Sequence, residues 1–392
     1  MAAPIVYKST DSGAPTLDGN KGSLITVLKA CLVNGYGAKA GAGWTIALED
    51  AANYKIIFRN NSTTGSGRYF RIQDNGRVSA RTDNAYFTSD RNCNATIVGM
   101  QNYTDINTPV VPFPRVLSGG DLETGDIYSH GVVIRKTGTI TNPSYTRPWM
   151  IIADNRTCHL ITFSKDDAST TALSTAVDNN SGLAKHYQRN VTSFGDIKLY
   201  NPSNTTTARA FIYTAQSLGN PDVRIGGNSQ GAVLPFGSGP ASTTSNYVYL
   251  DMSSETSSHA VRGDIRCLYS APGYCDQYTA EGNFEHYPSP ATAGFSAIPI
   301  TIFEDLDDPI RTVRVAQNHQ RYTLGTLPGI FACPHTTSTL TSYRVGDELS
   351  TVTDGAKSYL IYSMFTYSEG GLTNPNTWSA RLYAFDLGDW WV

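Results

Sequence analysis

The sequence lacks the features that identify several large classes of protein. Its 392 residues contain no apolar run near the roughly 20 residues that cross a bilayer, and no charged segment followed by an apolar one opens the chain. No CxxC pair is present, so the sequence has no signature of a structural zinc site. We therefore expect no membrane insertion, no secretion signal, no metal and no cofactor.

Charged residues are also scarce. Lys and Arg total 30, Asp and Glu total 33, the formal charge is −3, and charged residues make up 16% of the chain. Ordinary globular domains contain roughly 25%. Because proteins bind nucleic acid mainly through clustered Lys and Arg, this composition argues against a nucleic-acid partner.

Cysteine is infrequent, and the six cysteines are scattered rather than clustered. Reduced, buried thiols are expected in a chain of this length. Two of the cysteines flank an Ala271-Pro272-Gly273 turn and could face each other across a hairpin, but a reducing cytoplasm would disfavour a disulfide. The six are Cys31, Cys93, Cys158, Cys267, Cys275 and Cys333.

Glycine and tyrosine are abundant, with 35 and 23 residues. Together with frequent Ser, Thr and Asn, they are typical of many short strands joined by tight turns. The predicted fold is mainly β, with antiparallel, sandwich-like sheets and a minor α+β part at the N-terminus. One short helix is predicted at about residues 22–34, where Ser23 would cap it and Asn34-Gly35 would end it. Its apolar positions recur every three or four residues: Leu24, Val27, Leu28, Cys31 and Leu32.

Turn-rich segments divide the chain into four predicted parts. Residues 1–20 have no helical periodicity and would form an extended arm, of the kind that often reaches a neighbouring subunit. A proline-rich stretch before Gly119-Gly120 separates an α+β domain, 21–118, from a β-rich middle domain, 119–218. The remainder, 219–392, would be a β-rich C-terminal domain that opens with a long Gly/Ser loop over 219–246.

Several strands can be predicted individually. YKIIFRN and RYFRIQDNG bracket a turn-rich loop at residues 61–67 and form a hairpin pattern. HGVVIRK, RPWMIIAD and CHLITFSK, which begin at residues 130, 147 and 158, are interpreted as three strands of a new sheet. SYLIYSMFTY and WSARLYAFDL, near the end of the chain, predict a final hairpin.

Segments at both ends of the chain resemble those of a known protein family. At the start, the resemblance rests on Pro4 to Thr10, on Asp11, Gly13, Ala14 and Pro15, on the helix from Gly22 to Val33, and on Asn34-Gly35-Tyr36-Gly37. It returns in LPGIFACPH and in the closing LYAFDLGDWWV. In these segments the chain is similar to structural, tail- or baseplate-associated proteins of tailed bacteriophages, a family without an assigned chemical activity.

The resemblance implies a non-enzymatic subunit present in many copies in the tail, baseplate or neck of a virion that is assembled in the cytoplasm of a host bacterium. Its partners would be copies of itself and other virion proteins, held by buried interface area and strand pairing. A capsid-exterior decoration protein is an alternative position in the particle. Six residues are candidates for the interface, and the two tryptophans among them are expected to be an anchor either for packing or for an interface: Pro4, Ile5, Val6, Tyr7, Trp390 and Trp391.

Two other classes of function remain open. GNSQGA, at residues 227–232, matches the GxSxG elbow and is similar to that of cutinases; Ser229 would be the nucleophile, His286 the base and Asp264 the group that orients it. However, Pro235 and the glycines that follow the motif forbid the helix that such an elbow needs. The abundant aromatic residues also suit an adhesin that binds a receptor or a host-surface glycan.

Overall fold

The structure is a computed structural model and describes residues 3–74, 94–113, 132–136, 146–164, 188–201, 209–217, 244–251, 298–305, 321–333, 350–354, 357–363 and 382–392. Within these ranges the chain is mainly β, with three six-stranded antiparallel sheets, one short helical segment and a single 3-10 turn over Ala51–Asn53. This architecture confirms the predicted fold class.

The N-terminal sheet has the strand order β2-β3-β4-β5-β6, with β7 pairing additionally with β5. The hairpin predicted around residues 61–67 is confirmed, because β3 and β4 pair antiparallel. The interpretation of HGVVIRK as part of a new sheet is wrong, since β7 pairs with β5 of this earlier sheet. The strands are β2 (Thr45–Asp50), β3 (Lys55–Arg59), β4 (Tyr69–Gln73), β5 (Asn94–Tyr103), β6 (Pro109–Phe113) and β7 (Val132–Arg135).

The central sheet has the order β1-β8-β9-β10-β12-β13. It combines a strand of the predicted arm with strands from the middle of the chain and one from beyond residue 219. The predicted boundary near residue 119 and most of the 219–246 loop lie outside the described residues. The strands are β1 (Ile5–Lys8), β8 (Trp149–Ala153), β9 (Thr157–Ser164), β10 (Gln188–Asp196), β12 (Ala210–Ser217) and β13 (Thr244–Leu250).

The C-terminal sheet has the order β11-β15-β18-β17-β16, with β14 also pairing with β15. The predicted final hairpin is confirmed as the antiparallel pair β17 and β18. The strands are β11 (Lys198–Leu199), β14 (Ile298–Asp305), β15 (Arg321–Cys333), β16 (Ser350–Asp354), β17 (Lys357–Ser363) and β18 (Leu382–Asp386).

The helical segment consists of α1 (Ser23–Lys29) and a π-helical turn over Ala30–Asn34, which confirms the helix but changes its cap. Ser23 is the first helical residue, and its hydroxyl donates to the carbonyl of Asp18 instead of capping. The cap comes from Asp74, whose Oδ2 accepts the backbone N–H of Leu24 at 2.9 Å. A helix start needs an acceptor for its free N–H groups, and here a residue distant in sequence supplies it.

The two faces of the central sheet are covered differently. One face shares a continuous core with the N-terminal sheet and α1, to which Trp44, Phe70 and Phe194 contribute rings 5.3–5.7 Å apart. On the other face, His159 lies against Phe385 and Trp390 of the C-terminal segment. Strand β8 is accordingly buried at every position, as expected for a strand with packing on both faces.

Two cysteines lie in the described core, and both are buried free thiols, as predicted. Cys31 belongs to the π-helical turn and Cys158 to β9. Burial raises the pKa of both thiols. Because the thiolate is the reactive form, neither side chain is an activated nucleophile.

Strand β1 lies at the edge of the central sheet, and side chains of the same subunit occupy its outward-facing backbone groups. Lys39 Nζ donates to the carbonyl of Val6 at 2.7 Å, and Asp11 Oδ2 accepts the N–H of Lys8 at 2.7 Å. Lys39 and Asp11 also pair with each other at 2.5 Å. Burial raises the pKa of Asp11, but hydrogen bonds from Lys39, Lys8 and Tyr36 outweigh it and lower the pKa on balance. The edge is therefore blocked against a further strand.

We expect the double substitution Asp11→Ala and Lys39→Ala to expose this edge. The variant should lose about 1–2 kcal/mol of unfolding free energy, because two hydrogen bonds to the backbone of β1 are lost, and it should self-associate by edge pairing. Size-exclusion chromatography with light scattering measures the association. The matched control, Lys29→Ala with Glu49→Ala, removes a 2.9 Å ion pair between side chains and should not associate; equal behaviour of the two variants would contradict the blocking role.

Candidate functional site

The residues proposed from sequence have different positions in the structure. Ser229, Asp264 and His286 lie outside the described residues. Pro4, Ile5 and Val6 are half-buried in or beside β1.

Among the aromatic interface candidates, Tyr7 is fully buried and its hydroxyl donates to the carbonyl of Ala40 at 2.7 Å. Trp390 is also buried, whereas Trp391 is half-buried. The side chains of Tyr7 and Trp390 thus pack inside their own subunit and, in this conformation, cannot contact a neighbouring copy.

A polar cluster joins the three sheets near the C-terminus. We call it the Asp196 junction, and it comprises Asn60, Ser66, Asp154, Arg156, Asp196 and Trp391. At its centre, Asp196 is buried and accepts hydrogen bonds from Asn60 Nδ2 at 2.6 Å, from Ser66 N at 2.9 Å and from Arg156 Nε at 3.0 Å. The Ser66 hydroxyl also donates to Asp196. These donors come from two different sheets.

Local turn chemistry places the donors. In the β3–β4 loop, Asn61 Oδ1 accepts the N–H groups of Thr63 and Thr64 at 2.8 and 2.9 Å, which folds the loop back on itself. Gly65 then lies so close to the junction that a Cβ there would be 2.5 Å from Asp196 Oδ2. A side chain at this position would push the loop away from the carboxylate.

The second half of the junction holds the C-terminus. Asp154 Oδ1 accepts the N–H groups of Arg156 and Thr157 at 2.8 and 2.7 Å, forming the turn between β8 and β9. Its Oδ2 accepts the indole N–H of Trp391. The guanidinium of Arg156 lies 3.3 Å from the centroid of a Trp391 ring, in a cation–π contact. Burial raises the pKa of Asp154, although these hydrogen bonds oppose the shift.

A buried Ser–His pair links the central and C-terminal sheets. His159 Nδ1 lies 2.7 Å from Ser193 Oγ, and its Nε2 lies 2.8 Å from the carbonyl oxygen of Pro328. Because that carbonyl can only accept, Nε2 carries the proton and Nδ1 accepts the Ser193 hydroxyl. Trp390 packs on the ring of His159, with centroids 4.9 Å apart.

This pair has the hydrogen-bonding pattern of a nucleophile and its base, but no route to substrate. His159 and Ser193 are both 0% exposed. Burial lowers the pKa of His159 to about 3, so the imidazole stays neutral. A general base must reach a proton on its substrate. The pair is therefore a contact between sheets, not an active site.

The Asp196 junction is equally closed to chemistry. Four hydrogen bonds from three residues occupy the two oxygens of Asp196, which leaves this carboxylate no free acceptor for a ligand. In the described part of the chain, no three His, Cys, Asp or Glu side chains are grouped so as to hold a metal ion. What the arrangement can do is hold three sheets and the C-terminus in a fixed geometry.

Sequence reasoning identified Trp390 and Trp391 as anchors but missed their partners. The turn-forming run Asp154-Asn155-Arg156-Thr157 is a local signal that could have been used. Nothing local marks Asp196 or His159, because their partners are distant along the chain.

No protein-family model matches the chain, and neither does any curated protein. Within the described residues, no helix has the length and apolar character needed to cross a membrane.

We expect Arg156→Lys to weaken the junction even though the charge is kept. Lysine loses the Nε bond to Asp196 and the planar contact with Trp391, so the unfolding free energy should fall by about 1–2 kcal/mol. Denaturant titration measures the loss. Arg59→Lys is the matched control, because its guanidinium also lies over a ring, that of Tyr69 at 5.1 Å, but it does not bond to a buried carboxylate. Losses of equal size would contradict a special role for Arg156.

Proposed function

We propose that this chain is a non-enzymatic structural subunit of a tailed bacteriophage virion, present in multiple copies in the tail, baseplate or neck. The proposal begins from the likeness of its N- and C-terminal segments to virion proteins of such phages. It is supported by the way those segments are used in the fold.

The observation that carries the proposal is that the separate segments of resemblance meet around the central sheet. PIVYKST contains β1, an edge strand of that sheet. LPGIFACPH and LYAFDLGDWWV pair with each other through β15 and β18, and Pro328 and Trp390 contact His159 on the face of the central sheet. The resemblance therefore covers one connected framework instead of isolated motifs.

The contacts of the Asp196 junction and of His159 agree with a mechanical role. Strand β1 and the segment after β18 are both held against the central sheet, and Asp154, Asp196 and His159 are hydrogen-bonded there. A subunit that transmits load in a particle benefits from segments that are fixed in this way.

Imaging intact particles of the source phage, with mass spectrometry of their proteins, tests the proposal. We expect density for this chain at symmetry-related positions in the tail, baseplate or neck. Density on the head exterior would instead identify a decoration protein, and absence from particles would overturn the proposal.

Two substitutions in the phage gene distinguish a structural role of this chain from a catalytic one. Asp196→Ala should reduce incorporation of the subunit into particles, because it destabilises the junction. Ser229→Ala should leave both assembly and infectivity intact. If Ser229→Ala abolished infectivity while particles still assembled, the esterase hypothesis would replace the structural one.

A further inference from the structure

Lys136 and Asp74 form a buried pair of charged side chains beside the start of α1. Both side chains are 0% exposed, and Lys136 Nζ lies 2.5 Å from Asp74 Oδ1. Lys136 directly follows β7 and Asp74 directly follows β4. These two strands flank β5 on opposite sides. Removing two such charges from water is costly, and an ion pair between them does not guarantee net stabilisation.

The contacts of the two groups differ from those of an ordinary ion pair. Despite the short distance to Nζ, Asp74 Oδ1 has no partner with hydrogen-bond geometry, while Oδ2 accepts the N–H of Leu24 at 2.9 Å. Lys136 Nζ donates to the carbonyl of Asn20 at 2.5 Å and lies 3.3 Å from the hydroxyl of Ser23. The amine is thus held against a carboxyl group whose near oxygen is not otherwise engaged.

From this geometry we propose that Lys136 and Asp74 condense to an intramolecular isopeptide bond. The Lys136 ammonium transfers one proton to Asp74 Oδ1, giving a neutral amine and a carboxylic acid. The amine lone pair then forms the Nζ–Cγ bond as the electron pair of the Cγ–Oδ2 double bond moves onto Oδ2. A second proton passes from nitrogen to Oδ1, which leaves as water, and the carbonyl re-forms. The reaction consumes no oxidant, metal or cofactor.

The surroundings favour each step. Burial raises the pKa of Asp74, although Lys136 and the N–H groups of Leu24 and Ile25 oppose the shift, and it thereby favours the uncharged acid. The Leu24 N–H is placed to stabilise negative charge on Oδ2 in the tetrahedral intermediate. Fixing the two reactants in contact replaces an encounter in solution by a unimolecular step.

The bond would join the ends of β4 and β7 and enclose β5 between them. It would also fix the position of α1, because Asp74 caps that helix. A covalent link of this kind constrains the unfolded chain, as a disulfide does, without depending on the redox state of the compartment.

Intact-mass spectrometry of the purified, denatured full-length chain tests the proposal. We expect a mass lower than that of the sequence by one water. After tryptic digestion, we expect a branched peptide that joins the segments containing Asp74 and Lys136, uncut after Lys136 because its amine is acylated. A mass equal to that of the full sequence overturns the proposal. A loss of water that maps to any other pair of residues overturns it as well.

Variants provide the matched controls. Asp74→Leu combined with Lys136→Met replaces the pair by apolar side chains of similar size, a change that folds tolerate, and it should show the full mass. Lys136→Arg keeps the charge without a nucleophilic amine and should also show the full mass. A water loss that persisted in either variant would overturn the assignment. None of these measurements depends on whether the chain is a virion protein.

Discussion

Asp196→Ala is expected to lower the free energy of unfolding by about 3–5 kcal/mol, because it leaves Arg156 facing a buried site without its counter-charge. It also removes the acceptor of Asn60 Nδ2, of the Ser66 N–H and of the Ser66 hydroxyl. Buried donors without an acceptor lose their hydration and gain nothing in return. Urea titration followed by tryptophan fluorescence measures the loss.

The control for this experiment is Asp105→Ala. Asp105 also accepts several hydrogen bonds, from Asn107 N at 2.7 Å and from the N–H and hydroxyl of Thr108, but it is exposed on a turn. Water can replace the missing carboxylate there, so we expect a much smaller loss than for Asp196→Ala. Similar losses for the two variants would show that the Asp196 junction adds nothing beyond an ordinary loop contact.

The elements that the sequence predicted correctly are those encoded by local pattern. The helix has apolar residues at helical spacing, and all five predicted positions are buried. The β3–β4 hairpin combines two strand-like runs with a turn-forming loop between them. Each pattern lies within about twenty residues and needs no knowledge of distant partners.

The errors arose where a distant residue decides the outcome. Ser23 has the right side chain to cap a helix, but Asp74 occupies that role because β4 ends beside α1. Strand β7 has the composition of any buried strand, and its pairing with β5 determines which sheet it joins. Such choices depend on tertiary contacts that no window of sequence contains.

The candidate site illustrates the same limit. Trp390 and Trp391 could be identified as anchors because terminal tryptophans are seldom left exposed. Their pairing with His159, Asp154 and Arg156 could not, because these residues lie more than two hundred positions away. Within β9, His159 resembles a polar residue on a solvent-facing position, and only the C-terminal sheet packed above it makes it part of the interior.

His159 gives the second large expected effect, a loss of stability in acid. Burial lowers its folded-state pKa to about 3, below the usual value of 6.5, so between these values the unfolded chain binds a proton that the folded chain does not. Stability should therefore fall as the pH falls through this window, by up to about 1.4 kcal/mol per pH unit. Above the window neither state is protonated, and the effect vanishes.

His159→Gln isolates this contribution. Glutamine can donate to the Pro328 carbonyl and accept the Ser193 hydroxyl, but it does not titrate in this range. Between about pH 7 and about pH 5, we expect the unfolding free energy of the parent to fall by about 2 kcal/mol more than that of the variant.

Comparing the two proteins is necessary because other buried groups act in the opposite direction. Among them, burial raises the pKa of Asp154, so its protonation in acid favours the folded state, but its contribution is common to parent and variant and cancels in the difference. Urea titrations at each pH provide the two curves. If they remained parallel, His159 would not be held neutral between the central and C-terminal sheets. If they diverged as the pH fell, His159 would be held neutral in the folded state, as its burial against Pro328 and Trp390 predicts.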